Sequence, residues 1–217
     1  VFSIIVIALA VVMVSCGGSK YGETEFWNDV LAKYSKDTTL SSIILVKYTE
    51  GSNAELSYYI RKDGDWQFED SCSAFVGKNG IGKVKEGDAM TPIGDFNVLG
   101  AFGILPNPGT EIPYIDVKSS TFACDDNDSE YYNQIIDTVE TGHRCKGEDM
   151  FNINPEYNYG MVLDYNKERV QRMGSNIFFH CTGEHPYTGG CIAVKEQFIK
   201  HVMETCGSTP KFCIYPK

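Results

Sequence analysis

Ten residues lie between His180 and Cys191, a stretch rich in Gly, Pro and polar side chains. Each adjoins an apolar run, Ile177-Phe178-Phe179 before the histidine and Ile192-Ala193-Val194 after the cysteine. A cysteine attacks carbonyl carbon as thiolate, and its ordinary pKa of about 8.5 falls beside an imidazolium or favourable dipoles. His180 can supply that activation and a later proton transfer. Gly189 and Gly190 immediately precede the cysteine. A tetrahedral oxyanion needs backbone N–H donors about 3 Å away, and glycine lets substrate and main chain approach without a Cβ between them. Cys191 thus reads as nucleophile and His180 as its acid/base. The N–H groups of Gly190 and Cys191 read as oxyanion donors, Gly189 as the space beside them, and the Thr188 hydroxyl as an orienting group. The same residues also read as a Gly-Gly hairpin turn beside a disulfide cysteine, and spacing alone leaves both readings open.

The elements that must position these groups are strands. Side chains alternate along a strand, so Phe178 and His180 share one face while Ile177, Phe179 and Cys181 share the other. Cys181 therefore points away from the imidazole, as a core or disulfide residue, and Cys191 is the thiol that a loop can bring back. Three β-rich runs, 42–48, 55–61 and 66–76, precede this region. The connection through Asp63-Gly64 is a strong hairpin signal and predicts an antiparallel meander, with Leu56, Tyr58 and Ile60 on one covered face. Residues 110–115, 157–165 and 211–215 read as further strands. Residues 23–35 and 194–205 carry apolar side chains at helical spacing, with Thr24 a candidate cap for the first. The expected fold is mainly β with peripheral helices.

Between these runs lie two irregular segments. Residues 77–109 are glycine-rich and read as turns. Gly77-x4-Gly82-Lys83 superficially matches a phosphate-binding loop, but Val84 stands where a magnesium-ligating hydroxyl belongs and no amphipathic helix follows. Residues 124–150 are acidic and aromatic. Their carboxylates lack the spacing and central glycine of a calcium loop, so the segment reads as a solvated excursion. Its Tyr131 and Tyr132 are either groove-lining or loop-anchoring. Of the other histidines, His185 sits in the loop where it can flank a groove, and His201 falls on a polar helical face.

The 217 residues suit one globular unit, and a net charge of −10, with 29 acidic against 19 basic side chains, disfavours nucleic acid as a partner. Residues 1–14 are almost wholly apolar and too short to span a bilayer, which fits the apolar core of a signal peptide. Met13-Val14-Ser15-Cys16-Gly17-Gly18 resembles a bacterial lipobox, in which the cysteine becomes lipidated and N-terminal. The expected layout is a signal peptide over 1–15, a lipid-anchored tether and helix over 16–41, and a catalytic unit over 42–217. Eight cysteines agree with an oxidising compartment outside the cytoplasm. Setting aside Cys16 for lipid and Cys191 for chemistry leaves six, of which Cys206 and Cys213, around a Gly-Ser-Thr-Pro turn, are the locally plausible pair. No Cys-x-x-Cys occurs, which disfavours a zinc ribbon.

Taken together, His180, Thr188-Gly189-Gly190-Cys191 and the upstream Thr91-Pro92-Ile93-Gly94-Asp95-Phe96 resemble the L,D-transpeptidase (YkuD-like) catalytic domain. That family pairs a histidine with a Ser/Thr-x-Gly-Cys signature and carries a Thr-Pro-x-Gly-x-Phe element earlier in the chain. The likeness, with the Phe102-Gly103 stretch, covers residues 42–215. Two positions depart from the pattern: Gly189 replaces the usual histidine, and Ala193 the Asn or Arg often found two residues after the cysteine. The His-to-Cys loop is also shorter than usual. The resemblance implies a β-sandwich or barrel acting on peptidoglycan stem peptides at the cell envelope, without metal or organic cofactor. Cys191 would form a thioester that an amine resolves by transpeptidation, or water by L,D-carboxypeptidation. Two rivals are a lipid-anchored wall-binding protein of the same fold that has lost the reaction, and an unrelated cysteine peptidase.

Overall fold

The computed structural model describes residues 21–217. Their elements in chain order are α1 (Tyr21–Lys33), β1 (Ser42–Glu50), β2 (Asn53–Lys62), β3 (Asp65–Phe75), β4 (Gly94–Gly103), β5 (Tyr114–Asp116), β6 (Thr121–Cys124) and β7 (Gln134–Asp137). They continue with α2 (Thr138–Thr141), β8 (Gly147–Asp149), β9 (Gly160–Leu163), β10 (Phe178–Cys181), β11 (Ile192–Val194), α3 (Glu196–Thr205) and β12 (Pro210–Pro216). The signal segment, the lipobox and Cys16 lie outside the described residues.

Strands β1 to β3 form the expected meander. At the second turn Asp63 and Gly64 have φ of 53° and 94°, the paired positive values a two-residue hairpin of this twist requires. Around the sheet the order is β12-β1-β2-β3-β11-β10-β9-β4, and β4 also pairs with β12, closing an eight-stranded barrel with β5 added outside β4. Closure leaves these strands no open edge. The fold is therefore mainly β, as the sequence predicts.

Alternation divides the barrel wall into two faces. Inward side chains, among them Ile44, Val46, Leu56, Tyr58, Phe179, Ile192, Phe212 and Ile214, form the main core, and α3 adds Phe198, Ile199, Val202 and Met203 to it. On the outside of β1, β2 and β12, Trp27 of α1 packs against Ile43, Leu45, Tyr59 and Cys213. This arrangement overturns the Cys206–Cys213 pairing. Cys206 faces the inner core and Cys213 the α1 side of β12, and both are free thiols.

Two further differences bear on the site. Strand β4 runs through the glycine-rich segment expected to be turns. Gly94, Gly100 and Gly103 dilute its apolar pattern, and a register shift between Val98 and Gly100 breaks its period. Residues 124–150 are no solvated excursion either. They complete a small three-stranded sheet in the order β7-β6-β8, stapled by a Cys124–Cys145 disulfide. This sheet covers the outer face of β4 and β10, where Phe102, Val117, Ala123, Met150, Tyr157, Phe178 and Cys191 form a second core.

Candidate active site

Strands β10 and β11 run parallel, with Phe179 opposite Ile192 and His180 opposite Ala193. The ten residues between them are therefore a crossover and not a hairpin. Cys191 comes one residue before β11, so it lies level with Phe178, about 7 Å along the strand from His180. Phe178, His180 and Cys191 share the outward face, while Phe179 and Cys181 point into the barrel. The Cys181 thiol donates to the Tyr159 carbonyl at 3.6 Å.

His180 and Cys191 line one cavity of about 250 Å³ between the barrel wall and the small sheet. Gly189, Gly190 and Thr188 line it as well, so the cavity gathers the candidate residues expected from the sequence around 180–191. His185 is also on the rim, its ring stacked on Tyr187 at 5.2 Å. His201 lies elsewhere, 3.6 Å from Glu69.

The hydrogen bonds fix the state of each group. His180 Nδ1 is 2.7 Å from the carbonyl oxygen of Cys181. A carbonyl only accepts, so Nδ1 carries the proton and Nε2 keeps its lone pair. The Cys191 thiol donates to the Asn176 carbonyl at 3.3 Å, and the Phe178 N–H points to Sγ at 3.3 Å.

Burial disfavours the charged form of both groups. His180 is 7% exposed and Cys191 9%. Burial lowers the imidazole pKa, against the Cys181 carbonyl and the charge of Glu156, which raise it. Burial, then the nearby charge of Glu148, pushes the thiol up to about 12, against the Phe178 N–H and Lys83. Desolvation therefore works against a preformed thiolate–imidazolium pair, the activation expected from sequence. Desolvation penalises both charges, and the arrangement suits a neutral imidazole that takes the proton as the sulfur attacks.

The oxyanion assignment also changes in detail. The Gly190 N–H donates to Thr188 Oγ1 at 3.1 Å, and that hydroxyl donates to the Cys191 carbonyl at 2.7 Å. The Gly190 donor is thus committed within the turn, which leaves the Cys191 N–H as the backbone candidate. Gly190 has φ of 148°, and a Cβ there would fall 2.9 Å from the Met90 carbonyl oxygen. At Gly189 a Cβ would meet nothing within 4 Å.

Thr91, from the upstream motif, is fully buried and joins the two halves of the site. Its hydroxyl accepts from the Gly77 N–H at 2.9 Å and donates to the Cys191 carbonyl at 3.1 Å. The turn on which it sits also brings in Lys83, whose ammonium is buried against Asp88 at 2.9 Å. Burial alone would raise Asp88. The Val84 N–H, the Lys83 ammonium and the N–H groups of Lys85 and Met90 outweigh it and hold the carboxyl at about 2.

Glu148, Glu86 and Asn176 also line the cavity and were not singled out from sequence; Lys83, which the sequence offered only in a superficial phosphate-loop match, lines it with them. Glu148 is half-buried and accepts from the Tyr157 hydroxyl, while the Tyr157 ring stands edge-on to His180 at 5.5 Å. Burial raises Glu148 to about 6; the Tyr157 bond opposes this, and the charges of Asp125 and Glu86 add to it. Glu86 accepts from Tyr132 at 2.6 Å and Ser175 at 2.8 Å. Tyr132 is thus an anchor of the small sheet. The cysteines around Glu148 were a usable signal, since a staple between them would draw the acidic segment against the barrel. Among the described residues no cluster of three His, Cys, Asp or Glu side chains is arranged to hold a metal ion.

No protein-family model and no curated protein matches the chain. Among solved structures it is similar to Bd1075 of Bdellovibrio bacteriovorus, at 15% identity over 81% of this chain and 48% of that one, with a TM-score of 0.45. It is similar to the helical cell shape determining protein Pgp2 (K307A mutant) of Campylobacter jejuni, at 18% identity over 89% and 55%, with a TM-score of 0.45. It is also similar to an L,D-transpeptidase (Yku) of Stackebrandtia nassauensis, at 13% identity over 86% and 63%, with a TM-score of 0.36. The chain spans about half the length of the first two.

Proposed function

We propose that residues 42–217 form a cysteine acyltransferase acting on peptidoglycan stem peptides, with Cys191 as nucleophile and His180 as acid/base. The observation that carries this reading is that His180 and Cys191 share one face of adjacent strands and one cavity, with Cys181 turned away. The chemistry is that implied by the resemblance to L,D-transpeptidases.

In the proposed reaction, His180 Nε2 takes the thiol proton as Sγ attacks the carbonyl carbon before a terminal D-residue. The carbonyl π pair moves to oxygen, which the Cys191 N–H receives. Collapse re-forms the carbonyl and breaks the C–N bond, and the amine leaves with the proton from His180. A second amine then displaces sulfur from the thioester, giving an L,D cross-link. Water in its place gives carboxypeptidation. Glu86, Asp125, Glu148 and Glu156 around the cavity suit an amine-bearing peptide better than an anionic acceptor. We further propose an extracytoplasmic envelope location, with residues 1–15 removed and Cys16 lipidated as the membrane anchor.

The neutral, buried Cys191 favours one other reading, a wall-binding protein that has lost the reaction. The test is intact mass after incubation with a carbapenem, a class that acylates the family's cysteine, together with product analysis on tetrapeptide stems. The enzyme reading expects one adduct, absent from Cys191→Ser and strongly slowed in His180→Ala. No adduct and no product, with retained binding to cell-wall sacculi, would establish the wall-binding reading in its place.

A further inference from the structure

The site holds one polar group whose purpose the fold does not explain. Asn176 is 8% exposed and lines the cavity, yet its side-chain Nδ2 is buried with no acceptor among the described residues. A buried donor left unpaired is a rarity in folded proteins, and such groups mark strain or function. The backbone adds a second anomaly, because Asn176 has φ of 52°. Asparagine tolerates that left-handed conformation better than most residues, though still less readily than glycine. The position is held there: the Asn176 N–H donates to Asn133 Oδ1 at 2.9 Å, and the Asn176 carbonyl accepts the Cys191 thiol at 3.3 Å. An unsatisfied amide and an unusual backbone thus coincide at the residue that touches the nucleophile.

The site is also short of a donor, since the Gly190 N–H is engaged by Thr188. We propose that Asn176 Nδ2 supplies the missing hydrogen bond to the acyl oxygen, making Asn176 a catalytic residue of this site; this rests on the reading of Cys191 as an acylated nucleophile. As the sulfur lone pair forms the C–S bond, the carbonyl π pair becomes an oxyanion, and the amide N–H meets it beside the Cys191 N–H. The terminal torsion of an asparagine is soft and roughly two-fold. Nδ2 can therefore swing to an incoming oxygen without moving the backbone that holds the thiol. Preorganised donors of this kind act where charge develops, in a site already cleared of water.

The experiment compares two reactions of the same thiol in wild type, Asn176→Gly and Asn176→Asp. Acylation by a carbapenem passes through an oxyanion, whereas alkylation by iodoacetamide does not. Glycine keeps the positive φ without strain, so folding is preserved, and thermal unfolding checks this. The expected result is acylation slowed roughly 10²- to 10³-fold in Asn176→Gly, with alkylation within about twofold of wild type on the same scale of comparison. Asn176→Asp, which puts an acceptor in place of the donor, should be slowed at least as much. Unchanged acylation in Asn176→Gly would overturn the proposal while leaving the acyltransferase reading intact. Equal losses in both reactions would overturn it in favour of a structural role. A wild-type protein that alkylates but never acylates would remove the acyltransferase reading, and this inference with it.

Discussion

Thr91 Oγ1 donates to the carbonyl oxygen of Cys191 at 3.1 Å, joining residues 100 positions apart in the chain. The bond explains why the Thr-Pro-x-Gly element and the cysteine motif belong together. The same hydroxyl accepts the Gly77 N–H, so it ties the turn after β3 to the residue before β11. Thr91→Val preserves shape but leaves the Gly77 donor and the Cys191 carbonyl each one partner short. We expect a loss of about 1–3 kcal/mol in urea unfolding and slower carbapenem acylation. Thr91→Ser should recover most of both. Wild-type acylation in Thr91→Val would show that the bond does not position the nucleophile.

Glu148 is a half-buried carboxylate whose charge works against the thiolate. Its folded pKa of about 6 lies above the unfolded value of 4.5, so the native state binds more protons in that window. Its penalty is therefore absent below about pH 4.5 and complete above about pH 6, on the order of 2 kcal/mol. Glu148→Gln should stabilise the protein by about 1–2 kcal/mol at pH 7.5 and add nothing at pH 4. Titration of alkylation rate against pH should also show the Cys191 thiol ionising at lower pH in this variant. A stability gain of the same size at both pH values would contradict the assignment.

His180 titrates in the opposite sense. Burial lowers its folded pKa below the ordinary 6.5, so the unfolded chain binds the extra proton first as pH falls. Its contribution is undiminished above about pH 6.5 and is progressively lost below it. Urea unfolding of wild type against His180→Gln, at pH 7.5 and pH 5, should show a smaller acid loss in the variant. Identical acid losses would place the imidazole in solvent.

The two glycines before Cys191 should respond differently. Gly190→Ala forces a Cβ against the Met90 carbonyl at a backbone angle that side chains rarely adopt. We expect a cost of about 1–3 kcal/mol and loss of acylation. Gly189→Ala has open space and should leave Tm unchanged. Gly189→His should also fold normally. Equal destabilisation at both positions would contradict this turn geometry.

The Cys124–Cys145 disulfide closes a segment with a sequence separation of 21. Replacing both cysteines by serine should cost about 2–4 kcal/mol. Hydrogen exchange should place that loss in β6 to β8, while β1 to β3 keep their protection. Uniform loss over the whole chain would mean that small sheet and barrel unfold as one unit.

The sequence carried the meander, α3 and the inward turn of Cys181, because each is written in local periodicity, and the same alternation put His180 and Cys191 on one side of the wall, where both line the cavity. It did not carry β4, where three glycines and a bulge hide the period-two pattern. It suggested the wrong cysteine pair because proximity along the chain says nothing about which strand face a residue takes. Glu148 and Asn176, and the place of Lys83 beside them, were illegible for a different reason. Their role depends on which desolvated surface they meet, and that surface is assembled from segments far apart in sequence. The desolvation that works against charge on the thiol and the imidazole likewise follows from burial, which motif spacing does not encode.

The parallel course of β10 and β11 separates distance along the chain from distance in space. The crossover between them is clamped near both ends, by Thr182 N–H to Val194 oxygen at 2.7 Å and by Thr188 N–H to Val76 oxygen at 2.9 Å. Between the clamps, Glu184, His185 and Pro186 are exposed, and His185 lines the cavity. Residues added or removed there would reshape the entrance while the imidazole and the thiol stay where the barrel puts them. A short interval between histidine and cysteine is therefore a statement about the shape of the entrance, and the wall that holds the two side chains can stay fixed while that entrance changes.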